Sequence, residues 1–107
     1  MNVNSELDNN GQCRISIVGD MTIYHAMQLK QGLLDPLAQC REMEVDLSHV
    51  GEIDAVGLQV LVVLKREAEK LCKSLRFIGH SRGVLELMDL CDLGGFFGDP
   101  VLLSSKA

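Results

Sequence analysis

Aromatic side chains are scarce in this sequence: its 107 residues include no tryptophan, one tyrosine and three phenylalanines. A hydrophobic core must therefore be built mainly from aliphatic side chains. Hydrophobic residues make up 47% of the chain and charged residues 23%, which is ordinary for a globular protein and argues against disorder along most of its length. Because a chain of this length can bury one core but not two, we expect a single domain over residues 1–107.

Clusters of basic residues are also missing. Ten lysines and arginines are outnumbered by fifteen aspartates and glutamates, which gives a net charge of -5. Proteins that bind nucleic acid or anionic membranes gather positive charge on one surface, so neither is an expected partner. No apolar run approaches the roughly 20 residues that cross a bilayer, and the start MNVNSELDNN has no export-signal pattern. The sequence predicts a cytoplasmic protein with no direct membrane insertion.

Short motifs of common catalytic and cofactor sites do not occur. There is no GxxxxGK(S/T), GxGxxG or HExxH pattern, and the three histidines have no spacing used for metal ligation. A nucleophilic site whose members meet only in space stays open from sequence alone, although no pattern favours one. We therefore expect no enzymatic activity, no cofactor and no metal.

The cysteines form no CxxC pair and are widely spaced along the chain. Without an export signal they are better interpreted as buried or half-buried reduced thiols than as a disulfide framework. The four are Cys13, Cys40, Cys72 and Cys91.

The apolar pattern predicts alternating strands and helices, beginning with a hairpin around an Asn-Gly turn. Strands joined through helices are expected to lie parallel. The predicted elements are strands at 3–7 and 13–18, a helix at 23–38, a strand at 43–47, a helix at 55–73, a strand at 75–78, a helix after Ser81 with Cys91 on its apolar side, and an edge strand within 96–103.

Apolar and polar residues alternate along the predicted strands, which indicates a mixed sheet of four to five strands with helices packed mainly on one face. For the first helix we predict a buried face formed by Ile23, Met27, Leu34 and Ala38, with Ala26, Leu33 and Leu37 beside them. On the second helix Leu58 and Val62 lie off the predicted core stripe. They form a candidate contact patch, unless a neighbouring helix covers them.

The most distinctive segment, DLSHVGEIDAVGLQVL, runs from Asp46 to Leu61. A strand ends in it, and Asp54 stands at a helix start, where a carboxylate can accept backbone N–H groups. The segment resembles the signature of the STAS family, in which a strand ending in D-L-S is followed by I-D-S-(S/T)-G-L and a long helix. The resemblance extends over roughly residues 3–103 and implies the α/β STAS fold.

Family members that antagonise anti-sigma factors bind a kinase-type anti-sigma protein through this junction and are switched off by phosphorylation of a hydroxyl in it. Here Ala55 and Val56 occupy the usual acceptor segment, and Thr22 stands where the family usually has Asp. The resemblance thus implies docking without the usual phosphorylation switch. The resemblance, together with the contact patch on the second helix, predicts these partner-binding residues: Met21, Thr22, Tyr24, Ile53, Asp54, Ala55, Val56, Gly57, Leu58 and Val62.

The resemblance implies a non-catalytic protein-interaction module in bacterial signalling, with transcription regulation by an anti-sigma-factor antagonist as the model. The expected partner is another protein, such as a kinase-type anti-sigma factor. Relatives also serve as cytosolic subunits of membrane lipid transport complexes and in chemotaxis-associated systems, and one fold hosts many functions. Small-molecule sensing ranks lower, because no glycine-rich phosphate-binding motif is present.

Overall fold

A computed structural model describes residues 1–90 of the chain. A short 3-10 turn, Ile23–His25, precedes the first α-helix. The edge strand predicted within 96–103 and the predicted helical residue Cys91 lie outside the described residues. Within them the elements are β1 (Asn2–Leu7), β2 (Gln12–Met21), α1 (Ala26–Gln39), β3 (Glu42–Ile53), α2 (Ala55–Lys70), β4 (Ser74–Ile78) and α3 (Arg82–Leu90).

The first two strands form the predicted hairpin. They pair antiparallel across a turn in which Gly11 adopts a φ of +81°, a conformation that costs glycine little. The carboxylate of Asp8 accepts hydrogen bonds from the backbone N–H groups of Asn10 at 2.8 Å and Gln12 at 3.0 Å. Asp and Gly therefore supply the two local features that close this turn.

The described strands form one sheet in the order β1-β2-β3-β4. β1 is antiparallel to β2, whereas the β2–β3 and β3–β4 pairs are parallel. α1 links β2 to β3, and α2 links β3 to β4, as parallel neighbours require. The prediction of an α/β fold with a mixed sheet is confirmed.

Within the described residues the helices cover one face of the sheet. The buried positions alternate along three strands with more exposed polar ones. On the opposite face Arg76 forms an ion pair with Glu44, and an exposed pair of this kind contributes only about 0–1 kcal/mol. The strand residues of the core are Cys13, Ile15, Ile17, Met21, Met43, Val45, Leu47, Val50, Leu75 and Phe77.

The buried face of α1 differs from the predicted one. Ile23 and Met27 are 61% and 72% exposed, and Ala38 is exposed as well. Leu33 and Leu37 are buried as predicted, but the prediction was wrong for Ile23, Met27 and Ala38. Three leucines repeat every fourth residue, and burying them removes more apolar surface from water than burying the mixed row. These three residues are Leu29, Leu33 and Leu37.

β3 extends to Ile53, past the predicted end at Leu47. Its register with β2 shifts twice between Ser16 and Met21 of β2. Each shift inserts an extra residue into β3, as a β-bulge does, so the strand continues where a turn was predicted. The extension places the end of β3 beside the end of β2, where Met21 pairs with Ile53.

Candidate functional site

Asp54 connects the starts of two helices. Its backbone N–H donates to the carbonyl of Met21 at 3.2 Å, which ties it to the end of β2. Its Oδ1 accepts the backbone N–H of Gly57 at 2.9 Å and caps α2, while its Oδ2 accepts the backbone N–H of Ile23 at 3.0 Å. One carboxylate therefore caps α2 and holds the 3-10 turn before α1.

The ionised form of Asp54 is favoured by these contacts. The backbone N–H of Gly57, and next that of Ile23, lower the pKa of the carboxyl group below its ordinary value of 3.8. Hydrogen bonds to a carboxylate stabilise the charged form over the protonated one. The negative charge thus persists at neutral pH beside two helix starts.

Gly57 lets the first turn of α2 lie directly on the end of β2. A Cβ atom at this position would come within 2.8 Å of the carbonyl carbon of Met21 and closer still to its oxygen. No side chain fits there without moving the backbone. Gly57 therefore permits a close approach between this helix and the sheet.

Three apolar side chains around the start of α1 lie mostly in solvent. Ile23 is 61%, Tyr24 90% and Met27 72% exposed. Their spacing of three and four residues makes them neighbours on one side of a helical segment. We call these three residues the apolar ridge. The sequence predicted Tyr24 as a contact residue but assigned Ile23 and Met27 to the core.

Two carboxylates border the junction at the ends of β2 and β3. Asp20 and Glu52 are both exposed, and Oδ1 of Asp20 accepts the backbone N–H of Glu52 at 2.8 Å. We call this pair the acidic edge. Sequence reasoning did not single it out, because the bulged extension of β3 that places Glu52 beside Asp20 carries no short-range signal.

On the other side of Ile53, α3 comes close to β3. A Cβ atom on Gly83 would lie 2.7 Å from the carbonyl oxygen of Gly51. A groove of about 410 Å³ lies at this contact and is lined in part by Ile53 and Leu87. Ile53 thus belongs to the wall of a groove rather than to an open surface.

The predicted partner-binding residues fall into two groups. Met21, Gly57 and Leu58 are buried and support the site from beneath. Of the two alternatives left open for Leu58, a contact patch or cover by a neighbouring helix, the structure supports cover: Leu58 is only 4% exposed, because α2 packs against α1 as well as the sheet and so buries a wider stripe. The other predicted residues have at least partly accessible side chains, and their contact with a partner stays a prediction: Thr22, Tyr24, Ile53, Asp54, Ala55, Val56 and Val62.

Residues 1–90 contain neither a cluster of metal ligands nor a membrane-spanning helix. Among them, no three His, Cys, Asp or Glu side chains are arranged to hold a metal ion. No helix in this part of the chain has both the length and the apolar character to cross a membrane.

Comparisons with known proteins point to one family. The family model described as "Mlab, STAS domain" matches residues 5–104. Over 94 residues the chain is 27% identical to the anti-sigma-B factor antagonist of Bacillus subtilis (strain 168), covering 87% of this chain and 86% of that protein.

Solved structures share the fold. An anti-sigma factor antagonist from Mycobacterium paratuberculosis superposes with a TM-score of 0.80 at 22% identity, covering 97% of this chain and 89% of that one. The unphosphorylated anti-sigma factor antagonist SpoIIAA gives 0.67 at 11% identity, with 83% of each chain covered. A sulfate transporter family protein from Wolinella succinogenes gives 0.70 at 20% identity, covering 87% of this chain and 75% of that one.

Proposed function

Since the chain belongs to the STAS domain family, we propose that it is a non-catalytic protein-interaction module of bacterial signalling, similar to anti-sigma factor antagonists. The observation that carries this proposal is the apolar ridge, which lies beside the junction that carries the family signature. A partner protein docks on the ridge and the acidic edge together, which we call the docking surface.

Exposure of the ridge is costly unless a partner covers it. Tyr24, at 90% exposure, and Met27, at 72%, are side chains of the types enriched in the centres of protein interfaces. Contiguous exposed apolar side chains on a small domain commonly mark an interaction site. The hydrogen bond from Ile23 to Asp54 holds the turn in place before binding, and such preorganisation lowers the entropy lost on association.

The acidic edge defines the chemistry of the partner. Asp20 and Glu52 are exposed carboxylates at the rim of the docking surface, and the chain carries a net charge of -5. A complementary partner offers an apolar pocket for Tyr24 with lysine or arginine residues at its rim. Rim charges act mainly on the association rate, so binding slows as salt is raised.

Docking is not controlled by phosphorylation at the start of α2. Ala55 is exposed and Val56 half-buried, and neither carries a hydroxyl. In a relative with serine here, a phosphate would add about -1.5 to -2 charges next to Asp54 and the acidic edge, which would repel any partner suited to this surface. The partner is therefore bound constitutively or regulated elsewhere.

Replacing Ala55 by serine tests whether the missing hydroxyl frees docking from control by phosphorylation. Position 55 is exposed, so a new hydroxyl there would be accessible. With a kinase-type anti-sigma factor and ATP, Ala55→Ser should accept phosphate and lose binding, while the unchanged protein should stay unmodified and bound. Stoichiometric phosphate on the unchanged chain would refute constitutive docking.

A second candidate function is a cytosolic subunit of a membrane transport complex. It is favoured by the shared fold with a sulfate transporter family protein. The same docking surface would serve in both cases. The two candidates therefore differ in the partner and not in the residues that bind it.

Binding assays with purified partners test both candidates. A kinase-type anti-sigma factor and a cytosolic transporter subunit from the same organism are each titrated with the wild type, with Tyr24→Asp and with Leu71→Asp. Leu71 is 44% exposed at the far end of α2 and is a matched apolar control. We expect Tyr24→Asp to weaken binding of the true partner by at least about tenfold and Leu71→Asp to leave it unchanged. Equal binding by both variants would contradict the proposed docking surface.

A further inference from the structure

The face of the sheet that the described helices leave open carries a row of alternating charge. Glu6 of β1 lies in register with Arg14 of β2. Arg14 lies opposite Glu44 of β3, and Glu44 lies opposite Arg76 of β4. Register partners point to the same face of a sheet, so the row crosses the four described strands with the charges minus, plus, minus, plus.

The charges of this row are only partly neutralised within one chain. Arg76 forms its ion pair with Glu44. Glu6 and Arg14 are both exposed, and neither forms an ion pair with another residue of the described part of the chain. One anion and one cation of the row therefore remain free to pair with another molecule.

The row is complementary to itself when its order is reversed. A two-fold axis parallel to the strands places β1 of one copy over β4 of a second copy, and β2 over β3. Glu6 then faces Arg76 of the second copy, and Arg14 faces Glu44 of the second copy. Symmetry repeats both contacts, so the row forms four ion pairs between the copies. A row in the order minus, plus, plus, minus would instead bring like charges together.

The next row of the open face fits the same arrangement. Ser16 of β2 lies in register with Asp46 of β3, and Asp46 with Ile78 of β4. Reversal places the hydroxyl of Ser16, a hydrogen-bond donor, over the carboxylate of Asp46 in the second copy, an acceptor. A shallow cavity of about 280 Å³, lined in part by Arg14, Ser16 and Asp46, leaves room on this face for side chains of the second copy.

We propose that this open face is a docking site for a second copy of the chain, which forms a symmetric dimer by stacking sheet on sheet. Stacked sheets lie about 10 Å apart, a gap that an arginine and a glutamate side chain bridge together. The opposed charges fix the register, because a sheet shifted by one strand brings like charges together. The half-buried Ile78 and the 39% exposed Val18, which lies on the same face, add apolar contact.

The size of the face determines the strength of the dimer. Two short rows of side chains are fewer than the roughly 20–30 residues per side of a standard interface. We therefore expect a weak, reversible dimer with a dissociation constant between about 10 μM and 1 mM.

This interface is separate from the docking surface. The helices cover the other face of the sheet, and the apolar ridge lies around the start of α1. Tyr24→Asp should therefore leave self-association unchanged while it weakens binding of the partner protein. Failure of the docking proposal would leave the dimer intact, and the reverse also holds.

Reversing the charges of Glu6 and Arg76 tests the proposed pairing. β1 and β4 are three strand spacings apart, about 14 Å, so these two side chains do not pair within one chain. Glu6 is exposed, and the side chain of Arg76 is 66% exposed, so Glu6→Arg and Arg76→Glu should both fold. Circular dichroism checks the fold of each full-length variant, and sedimentation velocity measures its self-association.

Each single reversal should weaken self-association at least about tenfold, because symmetry places two like-charge contacts in the dimer. The double variant, Glu6→Arg with Arg76→Glu, should return to within about threefold of the wild type. That recovery can arise only between copies, since the double variant still lacks the ion pair of Arg76 with Glu44. The proposal is overturned if the double variant associates no better than the single variants, or if Tyr24→Asp abolishes the dimer.

A measurement on the unchanged protein needs no variant. Raising sodium chloride from about 50 mM to about 500 mM screens charge pairs at an accessible interface and should weaken the dimer at least about threefold. A wild-type protein that stays monomeric up to about 1 mM, or a dimer that salt leaves unchanged, would equally overturn the proposal.

Discussion

The two helices that meet at the docking surface begin in opposite ways. α2 starts with its own cap, Asp54, and with a glycine packed on the end of β2. The segment before α1 has no side-chain cap from Thr22 or His25, begins as a 3-10 turn, and exposes apolar residues. The difference separates two features: one helix start holds the fold together, and the other exposes the apolar surface on which we propose that a partner docks. Asp54 is the side chain that they share.

Replacing Gly57 by alanine should break the α2 side of this comparison and have the largest effect. The new Cβ would collide with the carbonyl group of Met21, and backbone atoms cannot yield as a side chain can. We expect a loss of about 3 kcal/mol in the free energy of unfolding, at the upper end of overpacking costs. Urea denaturation measures it.

Gly32→Ala is the matched control for that change. Gly32 lies within α1, and the atoms nearest to its added Cβ belong to the side chain of Val3, at 3.3 Å. Alanine also favours a helix by up to about 1 kcal/mol over glycine. Its unfolding free energy should therefore change little, and equal losses in both variants would show that contact with the strand end is not what Gly57 provides.

Replacing Asp54 by asparagine should affect both helix starts at once. The pKa of Asp54 is lower in the folded protein than its ordinary value of 3.8, so its carboxylate stabilises the fold above that value. This contribution is lost as the pH falls through the lower, folded-state pKa. The stability difference between wild type and Asp54→Asn should therefore be constant near neutral pH and shrink below about pH 4.

Thermal unfolding between pH 7 and strongly acidic conditions measures this difference. Glu69→Gln, an exposed change near the end of α2, is the control and should give no such trend. Asp54→Asn should also weaken partner binding, since Ile23 loses its ionised acceptor. A variant that binds normally would show that the 3-10 turn keeps its geometry without the carboxylate.

Replacing Tyr24 by alanine should separate binding from folding. The side chain is 90% exposed, so we expect the free energy of unfolding to change by less than about 0.5 kcal/mol. Partner affinity should fall by about tenfold, because a large aromatic anchor is lost from the docking surface. Calorimetry measures the partner affinity of the variant, and urea denaturation measures its free energy of unfolding. A loss of stability with unchanged affinity would place Tyr24 in the fold rather than in the interface.

Much of the fold follows from local signals in the sequence. The Asn-Gly hairpin, the alternation along β2, β3 and β4, and Asp54 at the start of α2 each depend on residues close together in the chain. The docking surface does not follow from such local signals. Which row of α1 turns inward depends on competition between leucines and other apolar residues, and the acidic edge depends on register shifts between strands. Such features are set by tertiary packing, which short-range patterns do not encode.

Giving the start of α1 its own cap should have the smallest effect and sharpen the comparison most. Thr22 has extended backbone angles, φ -122° and ψ 175°, but its side chain makes no capping hydrogen bond. Thr22→Asn should supply one and raise the free energy of unfolding by about 0.5 kcal/mol. Thr22→Asp should gain less, because its charge lies near the Asp54 carboxylate.

If the cap works, Asp54→Asn should cost less stability in the Thr22→Asn protein than in the wild type, since α1 no longer relies on Asp54 alone. Equal costs would mean that Asp54 stabilises the fold through α2 only.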